Sequence, residues 1–195
     1  MPATAQDVLD FWFAEAGTAH WFAADVAFDA QIRARFGEAV EAAANGRLDD
    51  WMATPPGWLA LLILLDQFPR NLYRDDPRAW AADASAQRVA LSGLARGDDR
   101  QLPAVQRVFA YLPLEHAEDS ALQQRSVELF EALCAQVPTE QRKQFEEFLD
   151  YARRHREVIA RFGRFPHRNA TLGRPSTPQE TLYLAQPGAG FSNAG

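Results

Sequence analysis

Two short strings stand out for chemistry in this chain: Phe68-Pro69-Arg70-Asn71 and Phe165-Pro166-His167-Arg168-Asn169. Each follows a helical run, so its proline is expected to break the helix and let an arginine and an asparagine point into one place. A guanidinium offers five donors in a rigid fork, and an asparagine offers both donors and an acceptor. A third cluster, Glu115-His116-Ala117-Glu118-Asp119, holds groups that transfer protons. Helical spacing would set Glu115 beside Glu118 and Asp119, and His116 beside Asp119. Crowded carboxylates raise one another's pKa and a carboxylate orients a histidine, so both arrangements suit acid–base work.

These clusters predict one polar pocket. Glu115, His116 and Asp119 are its expected acid–base set, and Asp66, Arg70, Asn71, His167, Arg168 and Asn169 are its expected ligand-binding set. The partner such a pocket would take is a small anionic or polar metabolite, with hydrolysis or another acid–base step as its chemistry. An acidic peptide is the alternative if the same arginines line an open groove of a non-catalytic scaffold. Asp66 continues an apolar run and must be paired if buried, with Arg70 one turn later as its local partner. Every cluster also has a purely structural reading. Asp66 and Arg70 could brace a helix end, Arg164 to Asn169 could cap helices, and Glu118 and Asp119 could simply favour the next helix dipole. His155 lies on an apolar helical stripe and reads as a core histidine.

No familiar metal or cofactor signature is present in the sequence. HExxH, ExxH and paired cysteines are all missing, as are a glycine-rich phosphate loop and Gly-x-Ser-x-Gly. Neither metal nor cofactor is therefore expected. The lone Cys134 reads as a small buried hydrophobe.

The elements that must position these groups are helices. Thr4 with Asp7 forms a capping-box pattern ahead of Phe11-Trp12-Phe13. A second helix runs from about Asp25, with Phe28, Ile32 and Phe36 on one face, to Asn45-Gly46. Thr54-Pro55-Pro56-Gly57 precedes a helix through Leu65 that is apolar on every side and should lie in the core. Asp76-Pro77 is expected to open a helix that Gly97 closes. Further starts fall near Pro103, Ser120 and Thr139, and Thr177-Pro178-Gln179-Glu180 opens a last short one. No stretch alternates like a strand. The expectation is an all-α protein of about eight helices, one domain over residues 1–187, and a loose tail over 188–195.

At 195 residues the chain can bury a core without staples. Its net charge of −6 opposes a nucleic-acid backbone as partner. The basic residues are arginine except Lys143, as expected of a GC-rich genome. The longest apolar run, Trp58 to Leu65, falls far short of a membrane span, and the N-terminal residues lack a secretory pattern. A cytoplasmic protein with no membrane partner is expected.

The sequence resembles the bacterial family called domain of unknown function 924, over roughly Asp10 to Leu184. The resemblance rests on Phe11-Trp12-Phe13, Trp21-Phe22, Phe28-Asp29, Leu48-Asp49-Asp50-Trp51, Leu65-Asp66-Gln67-Phe68-Pro69-Arg70-Asn71, Tyr111-Leu112-Pro113 and Phe165-Pro166-His167-Arg168-Asn169. It implies an all-helical, tetratricopeptide-repeat-like superhelix and carries no established activity. The family commonly has serine where this chain has Ala117, and Gly-His-Asp where it has Gly97-Asp98-Asp99. A serine nucleophile is therefore disfavoured, and the weight moves to Glu115, His116 and Asp119.

Overall fold

The computed structural model describes residues 2–191. All eight expected helices are present, and no strand occurs among the described residues. In chain order they are α1 (Ala5–Leu9, running on as a π-helix over Asp10–Ala16), α2 (Thr18–Trp21), α3 (Val26–Ala44), α4 (Pro55–Leu62, running on as a π-helix over Ile63–Gln67) and α5 (Phe68–Leu72). Then come α6 (Asp83–Arg96), α7 (Ala104–Glu115), α8 (Ser120–Gln136), α9 (Thr139–Phe162) and α10 (Pro178–Leu184). The short α2 and α5 are additions to the expected set.

Local chemistry sets the boundaries. Thr4 and Asp7 form a reciprocal capping box on α1, and Thr177 and Glu180 do the same on α10. The Asp25 carboxylate accepts from the backbone N–H groups of Ala27 and Phe28 at the start of α3. Gly97 and Gly163 close α6 and α9 with φ of 77° and 69°, the left-handed conformation glycine adopts without steric cost. The segment expected to begin a long helix at Asp76-Pro77 makes only a 3-10 turn, Pro77–Ala79, and α6 starts later at Asp83. Asp83 is needed elsewhere: it faces inward to hold two arginines.

Helix α4 is buried on every side from Trp58 to Leu65, as its composition requires. Phe11, Trp12, Phe28, Phe36, Phe68 and Phe109 close around it in edge-on and tilted ring contacts. Trp58 fits against α6 only because Gly93 has no side chain: an added Cβ there would sit 2.2 Å from the indole. The indole N–H then reaches the carbonyl of Val89 at 2.7 Å.

Pro69 does not end its helix, contrary to expectation. Proline cannot donate to the carbonyl four residues earlier, and the widened π turn over Ile63–Gln67 absorbs that loss, with the Phe68 N–H bonding Ile63 instead. The chain stays helical through Leu72, so Asp66 and Arg70 remain one turn apart on the inner side. At the other end of the chain, Gly188–Phe191 folds back onto α9, where the Phe191 ring stacks on His155 at 3.7 Å. Residues 192–195 of the expected tail lie outside the described residues.

Candidate functional site

The two Phe-Pro strings converge on one aspartate. Arg70 donates to Asp83 Oδ1 at 3.0 Å, and Arg168 donates to Asp83 Oδ2 at 3.1 Å. Arg70 also pairs with Asp66 Oδ1 at 3.2 Å and donates to the Asp66 backbone carbonyl. The ring closes through His116, whose carbonyl accepts from Arg168 at 3.1 Å and whose Nδ1 lies 2.9 Å from Asp66 Oδ1. Gln67 donates to the other Asp66 oxygen at 2.5 Å. Charges this deeply buried must be paired and hydrogen-bonded, and here they are. Burial alone would raise the Asp66 carboxyl, but Arg70 and His116 outweigh it and hold it well below the usual carboxylate range. Burial keeps the His116 imidazole neutral near pH 7. The proton then sits on Nδ1, because its partner is an acceptor-only carboxylate, and Nε2 is left basic.

The end of α7 is fixed in place by its orphan carbonyls. Gln123 on α8 donates to the carbonyls of both Glu115 and Ala117, at 2.5 and 2.8 Å, while Arg168 takes that of His116. Glu115 and His116 are thereby held toward α9, which supplies His155. His155 Nδ1 lies 2.8 Å from the Tyr151 carbonyl and 3.1 Å from Glu115 Oε1. Burial pushes the Glu115 carboxyl up to about 8, with the Asp66 charge adding to it. Burial also holds His155 well below the ordinary imidazole value, and His116 adds to that. Glu115 Oε2 is buried and has no hydrogen-bond partner among the described residues.

Glu115, His116 and His155 face a cavity of about 350 Å³, whose walls include Phe22, Leu112, Phe130, Phe148, Tyr151 and Phe191. None of its described lining residues is an arginine or lysine. Exposed Glu147 also lines it. The site is therefore a polar floor of one carboxyl and two imidazoles under aromatic walls.

The remaining expected residues lie elsewhere. Asp119 is a correction: its carboxylate caps α8, accepting from the N–H groups of Ala121 and Leu122, and takes no part in the cluster. The α7 helix ends before it, so the helical spacing that would have set it beside His116 does not exist. Asn71 donates to Asp29 at 2.8 Å beside α3. Asn169 donates to Ser176 and accepts from Arg174, bracing its own loop. Arg70 and His167 line a separate, shallower depression with Trp80 and Thr171, while Asp66 and Arg168 stand behind the cavity floor and support it. His155 is the residue that sequence reasoning left in the core. It is buried on the apolar stripe of α9, and the same position brings it against Glu115.

An all-α fold built around a buried carboxylate–arginine–histidine network defines the class. The model of the family described as bacterial protein of unknown function (DUF924) matches residues 8–188, and the chain belongs to that family. It is also similar to a solved structure of a protein of unknown function from Agrobacterium tumefaciens. The two share 42% identity and a TM-score of 0.84 over 93% of this chain and 96% of that one. No curated protein matches.

Proposed function

We propose that this protein binds a small molecule with an apolar body and a neutral polar head in the cavity over Glu115, His116 and His155, and performs an acid–base or hydrolytic step on that head. The observation that carries the reading is the position of His116: Asp66 orients it through Nδ1, and its ring lines an aromatic-walled cavity beside a buried carboxyl. The arginines that suggested an anionic ligand are engaged by Asp66 and Asp83 and do not line this cavity, which favours a neutral head such as an amide, ester or alcohol. A tetratricopeptide-like scaffold that grips a peptide is the alternative. A volume of about 350 Å³ favours a small molecule over an extended peptide.

Thermal melting with benzamide, benzyl alcohol and benzoate as probes tests the reading. The two neutral probes should raise the melting temperature in a dose-dependent way, benzoate should do so less, and Leu112→Phe, which fills the cavity, should remove the effect. An equal response in Leu112→Phe, or no response to any probe in the parent, would contradict it.

A further inference from the structure

We propose that Glu115, His116 and His155 bind a divalent first-row metal ion, of the zinc or ferrous class, at the floor of the cavity. This rests on the cavity reading above, from which it takes that the site is open to small molecules, and it makes Glu115, His116 and His155 metal ligands rather than free proton carriers.

Three observations carry the inference. First, one ligand atom from each of the three residues can be chosen so that all lie within 4.8 Å of one another. Bound at roughly 2.0–2.2 Å, ligand atoms around a tetrahedral ion stand about 3.4 Å apart, so side-chain shifts on the order of 1 Å close the site. Second, both imidazoles are already oriented as metal ligands usually are. His116 Nδ1 meets the Asp66 carboxylate at 2.9 and 3.0 Å, and His155 Nδ1 meets both the Tyr151 carbonyl at 2.8 Å and Glu115 Oε1 at 3.1 Å, so Glu115 would turn from Nδ1 to the ion while the carbonyl keeps the ring in place. A carboxylate or carbonyl on one ring nitrogen fixes the tautomer and leaves Nε2 as the electron-pair donor. Third, Glu115 is 3% exposed, and among the described residues its buried Oε2 has no hydrogen-bond partner, so a cation that displaced the carboxyl proton would satisfy it.

The donor set decides the kind of ion. Two imidazoles and one carboxylate suit zinc or ferrous iron, while magnesium and calcium prefer all-oxygen cages and soft ions prefer sulfur. Three protein ligands leave at least one coordination position, which would face the cavity. The groups around the trio fit a cation: Asp66 lies behind His116, and Arg70 and Arg168 are turned toward Asp66 and Asp83. No sequence motif announces this site because Glu115 and His116 are consecutive at the end of α7, while His155 comes from the middle of α9.

Chelator-treated full-length protein titrated with Co²⁺ tests the proposal. One ion per chain should bind at micromolar concentration with a visible absorption spectrum of low coordination number. Paramagnetic line broadening should centre on Leu112, His116, Tyr151 and His155. Glu115→Gln and His155→Gln should each weaken binding tenfold or more, and Asp66→Asn, which removes no ligand, about 10–100-fold. The broadening map uses the parent protein, so it decides the matter even if a variant does not fold. Absence of stoichiometric binding, or broadening centred on the half-buried His20 and Asp25 pair, overturns the metal site. Benzamide melting of the metal-free protein separates the two claims. Stabilisation by benzamide without ion binding removes only the metal, and failure of both removes the cavity reading as well.

Discussion

Asp66 and His116 meet across the interior, with both carboxylate oxygens of Asp66 within 3.0 Å of His116 Nδ1. The same carboxylate pairs with Arg70 and is 1% exposed. Asp66→Ala should therefore strand a buried guanidinium and lower the stability by about 3–5 kcal/mol. Urea denaturation measures this directly, and an unchanged midpoint would show that Asp66 is not held as described.

Asp83 is the link between the two Phe-Pro strings, since one oxygen serves Arg70 and the other Arg168. Asp83→Ala should cost a similar amount, about 3–5 kcal/mol. Arg168→Met should cost much less in the Asp83→Ala background than in the parent, with a coupling of about 0.5–3 kcal/mol. Additive losses in a double-mutant cycle would contradict the shared clamp.

Gly93 is packed on the face of Trp58, so the smallest added side chain has nowhere to go. Gly93→Ala should destabilise by about 1–3 kcal/mol through overpacking, although alanine is the better helix former. A Gly93→Ala protein at least as stable as the parent, by thermal or chemical melting, would refute that packing.

His167 lies between Phe165 and Phe191, its Nδ1 buried and without a partner among the described residues. Burial, reinforced by Arg168, lowers its pKa from 6.5 to about 3, with Glu118 opposing and His116 and Arg174 adding to the fall. The neutral ring is the form the fold accepts, so its contribution is complete above 6.5 and is lost as pH falls toward 3. His167→Phe should flatten the acid side of the stability–pH profile across that window and leave stability above neutral pH little changed. Parallel profiles for parent and variant would show that His167 charges freely in the folded state.

Much of this arrangement was legible from local chemistry. The capping boxes at Thr4 and Thr177, the all-round apolar α4 and the pairing of Asp66 with Arg70 follow from residue type and spacing alone. What local pattern could not give is anything decided by packing between distant segments. Asp83 sits in an ordinary polar stretch, and only the approach of Arg70 and Arg168 makes it a hub. His155 reads as core because it is core; its second role arises from the end of α7 being pinned by Gln123. Asp119 stands apart from His116 because a helix ends between them, and its carboxylate caps α8. Pro69 failed as a helix stop because a π turn can absorb one missing donor.

If the proposed cavity takes a ligand, it enters over Glu115, His116 and His155. Imidazole-detected NMR of the protein with benzamide tests it most directly, because the four histidines report from distinct places. Benzamide should shift the ring signals of His116 and His155 in saturable fashion and leave half-buried His20 unmoved. Shifts confined to His167, beside Arg70 and Trp80, or to His20, would place binding elsewhere and contradict it.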